Sequence, residues 1–398
     1  MILLSHPTGN EFVRAALDAF DRAGMLGEFW TTLNSNQKSL MNRLLPARLR
    51  RVSARRAFSE TIRSRTQTVP FREMLRLFTG AFSVDAVLRD LDRKVADRLR
   101  KIDNVDSVYA YEDAALESFR AARDRGLKRI YDLPIAYWQT SQRLLREEAQ
   151  RYPDWEPTLV GTRDSEEKLA RKTEELHLAQ LVICPSNFVL ESLPAEARAQ
   201  KQCVIAPFGS PDVDLSLNGK KNSGPLRLLF AGALTQRKGL ADLFAAMKLV
   251  KSKNVELVVI GSLLRPLNWY RDRFRDFIYE PPRPHGEVLR LMQSCDVFVL
   301  PSIVEGRALV QQEAMACGLP VIATKNAGAD DAVIDGETGF LVPIRSPEAI
   351  AEKIDWFLAN RANLDGMGIA ARNRAVEFTW RAYGEKIVAA VRALTRRP

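Results

Sequence analysis

"EGRALVQQEAMACGLPVIAT", Glu305–Thr324, reads as a loop, a helix, a tight turn and a strand. The helical part ends on Gly318, a suitable C-cap, and "LPVIAT" follows as a buried strand. Two carboxylates stand out on a segment otherwise suited to burial: Glu305 in the opening loop and Glu313 within the helix.

The pattern continues on both sides. "PLRLLFAGAL", "VELVVIGS", "DVFVLPS", "LPVIAT" and "GFLVP" read as buried strands. Between and after them, "GLADLFAAMKLV", "HGEVLRLMQSC" and "SPEAIAEKIDWFLAN" carry apolar residues at helical spacing. Strands alternating with helices predict right-handed βαβ units and a parallel, doubly wound sheet from about Leu226 onward. Ligands of such sheets bind at the C-terminal ends of the strands. The first half is less tidy but also α/β: "MILLSHPTGN" with "EFVRAALDAFDRAGM" reads as strand, loop and helix, "SVYAYEDAALESFRAARDRGLKRIYDLPIAYWQ" as strand, helix and strand, "AQLVICPSNFVLESL" as strand, loop and helix, and "QCVIAPFG" as one more strand. Between Gln37 and Lys101 it reads as helical and strongly basic. "SPDVDLSLNGKKNSG" has linker chemistry. The expected division is therefore an N-terminal Rossmann-like domain over 1–210 with a basic helical insertion, a linker over 211–224, a second Rossmann-like domain over 225–375, and a final helix over 376–398.

Composition bounds the rest. A chain of 398 residues suits two domains, and 46% hydrophobic with 27% charged residues is ordinary for a globular protein. No apolar run approaches the roughly 18 residues of a membrane span. "MILLSHPTGN" reads as a first buried strand and not as a leader. The four cysteines are scattered without a CxxC pair, which fits thiols in a reducing, cytoplasmic setting.

"PSIVEGRALVQQEAMACGLPVIAT" resembles the donor-site signature of the retaining glycosyltransferases of family 4, the glycosyl transferases group 1, whose two Rossmann-like domains form the GT-B fold. The family pattern is Glu, seven residues, Glu. "FAGALTQRKG" is similar to the family's first donor loop, and "VIDGETGFLVP" also matches. The likeness runs from about Leu226 to Arg372 and is looser before that. It implies a GT-B architecture with two sheets facing across an interdomain cleft. It also implies a hexosyltransferase-like, retaining enzyme that uses a nucleotide-diphosphate sugar, as in polysaccharide biosynthesis. By position, Glu305 would contact hydroxyls of the donor sugar and Glu313 the ribose. A carboxylate accepts two hydroxyl hydrogen bonds at once, which suits a vicinal diol. Gly306 would let the backbone approach a ligand. Arg307, Ala308 and Leu309 would carry the loop into a helix N-terminus suited to phosphate or sugar hydroxyls.

Negative charge left on the β-phosphate calls for preorganised cations. Gly232, Arg237 and Lys238 are the candidates in the first donor loop. The family places an Arg after the first Gly, where this chain has Ala233, and Arg237 stands near enough to substitute. On the acceptor side the candidates are His6, Gly9 and Asn10 of "SHPTGN" and Asp132 at a strand end. The triplets Asp90-Leu-Asp92 and Asp212-Val-Asp214 are weak metal motifs, and no metal or other cofactor is expected. From Arg43 to Arg65 there are eight arginines against one acid, Glu60, interleaved with Leu, Val, Phe and Ile. That arm suits an anionic membrane surface, on the inner face of the membrane, better than nucleic acid, and it fits a lipid-linked or cell-surface glycan precursor as acceptor. The rival readings are a nucleotide-sugar epimerase and a non-catalytic sugar-nucleotide-binding protein at a membrane surface.

Overall fold

The computed structural model describes residues 1–35, 56–213 and 224–396. The arm from Arg43 to Arg55 lies outside the described residues, as does Asp214 of the second triplet.

Two parallel sheets carry the fold. The first comprises β1 (Ile2–Ser5), β2 (Leu26–Thr31), β3 (Thr66–Thr68), β4 (Ser107–Tyr111), β5 (Lys128–Asp132), β6 (Leu181–Cys184) and β7 (Gln202–Ile205). Its spatial order is β3-β2-β1-β4-β5-β6-β7, with every pairing parallel. The second comprises β8 (Leu226–Ala231), β9 (Val255–Ile260), β10 (Phe277–Glu280), β11 (Val297–Leu300), β12 (Val321–Ala323) and β13 (Gly339–Leu341). Its order is β10-β9-β8-β11-β12-β13, again all parallel. Each sheet reverses its winding once, between β1 and β4 and between β8 and β11, and these switch points are where a doubly wound sheet opens a crevice for ligands. The central strands β1, β4, β6 and β11 are buried along their whole length. That is why they read as continuous apolar runs.

Three strands escape the sequence reading. In β2, "LGEFWT", Gly27 and Glu28 interrupt the apolar run, and Glu28 faces outward to pair with Arg98. β3 and β10 are short, half-exposed edge strands. The second sheet therefore has six strands and not five.

Two segments tie the halves together. Trp138–Arg151 and the short turns Pro153–Thr158 and Val160–Thr162 leave the first domain and strap across the second. Trp155 is buried in the second domain's core, edge-on to Trp269 at 5.0 Å and Phe244 at 5.9 Å between ring centroids. The last helix, Trp380–Thr395, starts at Thr379, whose side chain accepts from the Ala382 N–H. It returns to the first domain and lies on the helix Glu11–Arg22. A Cβ on Gly384 would stand 2.6 Å from the Ala19 Cβ, so this crossing requires glycine.

The described part of the basic arm corrects one expectation. Phe58 packs edge-on to Phe29 at 4.9 Å, and Ile62 is buried in the first domain's core. Those two apolar residues face the protein, not a membrane. Arg56, Arg63 and Arg65 pair with Glu73, Glu60 and Asp21. All four cysteines are free thiols. Among the described residues no helix is long and apolar enough to cross a membrane.

Candidate functional site

The loop after β8 is built around two glycines with positive φ. Gly232 has φ 140°, and a Cβ there would come within 2.7 Å of the Lys238 Cε. Gly239 has φ 73°, and a Cβ there would lie 2.0 Å from the Pro301 carbonyl oxygen. Glycine at both places lets the turn Gln236–Lys238 press against the loop after β11. The Ile303 N–H donates to the Arg237 carbonyl at 2.9 Å, and Arg237 Nη1 donates to the Val304 carbonyl at 2.9 Å.

This places two cations on one carboxylate. Lys238 Nζ lies 2.6 Å and Arg237 Nη1 3.0 Å from Glu305 Oε1. Burial alone would raise the Glu305 pKa; the two cations outweigh it and hold the carboxyl below its ordinary value. Glu305 therefore stays ionised at the second sheet's switch point. Its backbone faces the other domain. The Ala136 N–H donates to the Glu305 carbonyl at 3.2 Å, and Ser186 Oγ donates to the Gly306 carbonyl at 2.7 Å. A Cβ on Gly306 would sit 1.8 Å from the Pro134 carbonyl oxygen, so the close approach this glycine permits is made by the first domain itself.

The next residues hold the loop in place. The Arg307 side chain is buried, bonded to Asp331 and Gln312 and stacked 4.4 Å over the Phe378 ring. The Ala308 N–H is taken by the Ala327 carbonyl at 3.0 Å, and Leu309 packs against the first domain's core. Glu313 lies further along the helix Leu309–Ala316, its Oε1 3.0 Å from His285 Nε2. Burial pushes the Glu313 pKa up, and His285 pulls it partly back. Glu11, at the start of the first domain's helix, is near enough for its charge to be felt at Glu313. The loops after β1 and β11 thus face each other.

The acceptor-side candidates separate. Asn10 is exposed in the N-cap position of the helix Glu11–Arg22, and its Oδ1 accepts from Thr8 Oγ1 at 3.2 Å. The Gly9 carbonyl accepts from Arg14 Nε at 2.8 Å. His6 is turned inward, edge-on to Tyr111 at 4.7 Å, with Nδ1 accepting from the Thr8 N–H at 3.0 Å. Burial lowers its pKa to about 4, so it is a neutral core group. Asp132 is also interior, at 1% exposure, accepting from Tyr109 and from Tyr383 of the last helix at 3.3 Å. Burial raises its pKa to about 7. The expectation that Asp132 reaches into the cleft is corrected: it anchors the returning helix.

Sequence reasoning missed the polar network behind the cations. Glu148 of the strap is fully buried, accepts from Gln236 Nε2 at 2.6 Å and pairs with Arg345. Gln236 Nε2 also donates to Asp242 at 2.8 Å, its N–H donates to Thr158 Oγ1 at 3.2 Å, and Asp242 pairs with Arg151 at 2.6 Å. The strap thereby fixes the turn that carries Arg237 and Lys238. Also missed was an interdomain cavity of about 120 Å³, lined by Glu112, Trp138, Gln142, Lys172, Arg237 and Val304. Glu112 pairs with Lys172 at 3.2 Å, and burial raises its pKa to about 7. His285 could not be linked to Glu313 from sequence, because nothing in the spacing of 28 residues signals contact. Of the weak metal triplets, Asp92 accepts from the Glu117 and Ser118 N–H groups at 2.7 and 2.9 Å, and Asp90 lies 3.7 Å from Arg72.

Comparison with known proteins agrees with this geometry. Residues 216–374 match the family model of the glycosyl transferases group 1. A D-inositol 3-phosphate glycosyltransferase of Corynebacterium diphtheriae is 40% identical over 30% of this chain and 26% of its own length. The capsular polysaccharide biosynthesis glycosyltransferase CapM of Staphylococcus aureus is 32% identical over 36% of this chain and 40% of its own. The alignments with these curated relatives thus span well under half their length. Among solved structures, sucrose-phosphate synthase from Thermosynechococcus elongatus superposes with a TM-score of 0.71 at 20% identity, covering 99% of this chain and 98% of that one. Anabaena HepE, solved with UDP and glucose, gives 0.63 at 16% identity over 98% and 99% of the two chains. At such identities the likeness establishes the fold. The architecture is GT-B, and residues 216–374, which carry Glu305 and Glu313, are similar to the glycosyl transferases group 1.

Proposed function

We propose that the chain is a retaining glycosyltransferase that moves a hexose from a nucleotide-diphosphate sugar to a glycan precursor. The observation that carries this is the carboxylate of Glu305 held between Lys238 and Arg237 where the two domains meet. One pole accepts hydrogen bonds from sugar hydroxyls, and the other offers cations to a leaving diphosphate. Glu313 lies on the helix that follows this loop, for the ribose, with the loop of Gly9 and Asn10 opposite. Retention follows from departure and attack on the same face of the sugar, so no dedicated base is required. The diphosphate charge is met by Lys238 and Arg237, and transfer is independent of a divalent metal. A neighbour of this fold is known with UDP, which makes UDP the first nucleotide to try. Two relatives are named for capsular polysaccharide and colanic acid biosynthesis, which favours a lipid-linked or cell-surface glycan precursor as acceptor. The acceptor would enter between the first domain and the cavity beside Arg237.

The test is a thermal-shift screen with UDP, GDP and ADP, followed by hydrolysis and transfer assays with the sugars of the nucleotide that stabilises. A ligand that binds only the native state adds about 2.7 kcal/mol at 100-fold its dissociation constant. Failure of all three nucleotides to stabilise the protein sinks the proposal. Stabilisation with sugar inversion in place of transfer selects the epimerase, and stabilisation with no turnover selects the non-catalytic reading.

A further inference from the structure

The helix Phe71–Thr79 is turned inside out. At about 100° per residue, Phe71, Met74 and Phe78 fall within an arc of roughly 60°, and Glu73 falls on the opposite side. That is the reverse of a surface helix that buries its apolar stripe. Phe71 is 70% exposed, Met74 45% and Phe78 64%, while Glu73 is 3% exposed. The buried carboxylate is accounted for by Arg56 and Arg76, both ion-paired to it. Nothing in the described protein accounts for the outward aromatics. Val84, the first residue of the next helix, is also exposed, at 59%.

Charge says what meets this face. From Gln37 to Val84 the sequence holds eleven Lys and Arg residues against Glu60 and Glu73, a net +9 of the chain's +10. Almost the whole net charge of the molecule is therefore concentrated in the segment that also presents two phenylalanines and a methionine to solvent. Aromatic and thioether side chains on a strongly cationic segment match the interface of an anionic bilayer, where apolar groups enter the acyl boundary and cations meet the headgroups.

Position gives the face a use. The helix follows the C-terminal end of β3 after Val69 and Pro70. In the sheet order β3-β2-β1 it stands two strands from the loop carrying Gly9 and Asn10. Two strand spacings are about 10 Å. The face therefore lies on the cleft edge of the first domain.

We propose that the helix Phe71–Thr79 is a membrane-docking element, inserting Phe71, Met74 and Phe78 into an anionic lipid surface and so holding the cleft beside it. The docking is independent of the glycosyl-transfer reading. Only its consequence, delivery of an acceptor carried in the bilayer, rests on that reading.

The experiment is co-sedimentation of the full chain, without nucleotide, with vesicles of phosphatidylcholine alone or mixed with phosphatidylglycerol. The expected result is binding to the mixed vesicles, weakened by salt, and at least tenfold lower partitioning for the variant Phe71→Ser, Met74→Ser, Phe78→Ser. All three side chains face solvent, so an unchanged melting temperature serves as the folding control. The mixed vesicles failing to retain the wild type overturns the proposal, and so does equal retention of wild type and variant. Titration with duplex DNA is the second arm. Tight DNA binding that the triple variant keeps, with no vesicle binding, assigns the charge to nucleic acid and overturns docking to lipid. Because nucleotide is absent, failure here leaves the donor screen untouched, and failure of that screen leaves this one untouched.

Discussion

Lys238 Nζ stands 2.6 Å from Glu305 Oε1, joining the loop after β8 to the loop after β11 across the switch point of the second sheet. In the proposed transfer, a donor sugar would share this carboxylate with the lysine, and a leaving diphosphate would share the lysine with the carboxylate. On that reading the pair acts as a single unit, with substrate at both ends.

Lys238→Gln removes the charge and leaves a polar side chain one atom shorter. With Arg237 left at 3.0 Å, Glu305 retains one cation and the fold survives. Turnover is expected to fall about 10²–10³-fold, the usual effect of removing one preorganised partner of developing charge. Steady-state kinetics checks it, and a change confined to KM would show that the lysine serves binding alone.

Glu313→Ala removes a charged acceptor from the proposed ribose contact. Such bonds contribute roughly 1.5–3 kcal/mol, so nucleotide affinity should drop about 10- to 100-fold with little change in melting temperature. His285→Ala has a subtler effect. The imidazole pulls the Glu313 pKa down against burial. Without it, Glu313 takes up a proton at higher pH, and nucleotide affinity should begin to fall at a higher pH than in the wild type. Calorimetric titration across acidic pH tests both variants.

Glu148→Ala strips Gln236 and Arg345 of a fully buried partner. Breaking a buried charged network of this kind costs about 3–5 kcal/mol. Its neighbour Glu147 pairs with the same Arg345 at 2.8 Å but is 37% exposed, and losing it should cost only about 0–1 kcal/mol. Denaturant unfolding of the two variants side by side measures the difference. Loss of turnover in Glu148→Ala at temperatures where it remains folded would place the strap upstream of Arg237 and Lys238.

Asp132 and His6 set opposite pH slopes. The folded pKa of Asp132 is raised to about 7, so its contribution is fully present below its unfolded value near 3.8 and is lost as pH rises toward 7. The folded pKa of His6 is lowered to about 4, so its contribution is present above 6.5 and is lost as pH falls through that window. The two titrations run over nearly the same window and offset each other, so Asp132→Asn should leave only the rise of stability with pH that His6 imposes. Unfolding free energies between pH about 4 and about 7 decide it; an unchanged slope would mean that Asp132 is ionised in the native protein.

Chelation gives the last expectation. With Lys238 and Arg237 meeting the diphosphate, activity should persist in EDTA. Complete loss restored by Mg²⁺ or Mn²⁺ would overturn metal-independent transfer.

What the sequence makes legible follows burial. β8, β9 and β11 are buried through most of their length, so each appears as an apolar run that no helix explains. β2, β3 and β10 are interrupted, short or half-exposed, and a propensity reading has nothing to hold there. The site divides in the same way. The spacing of Glu305 and Glu313 is visible along one segment, as is the Arg237-Lys238 pair. Their partners come from elsewhere in the chain: Glu148 is 88 residues from Gln236 and His285 is 28 from Glu313. Asp132 and His6 sit where strands end, and strand ends ordinarily face ligand. Tyr383, 251 residues from Asp132, covers the first from the far end of the chain, and Tyr111 covers the second.

Trp155 makes the boundary in the sequence differ from the boundary in the molecule. Cutting the chain at the linker after residue 210 would not yield two intact halves. The first piece would carry away a tryptophan that fills the second piece's core, and the second would lose the Thr158 and Glu148 partners of Gln236. From Glu148 to Thr158 the strap packs with the second sheet, while Trp138 and Thr140 at its start stay bonded to Thr173 and Ser192 of the first domain. A spectroscopic probe placed at Trp155 would report on the second domain, although the chain order assigns it to the first.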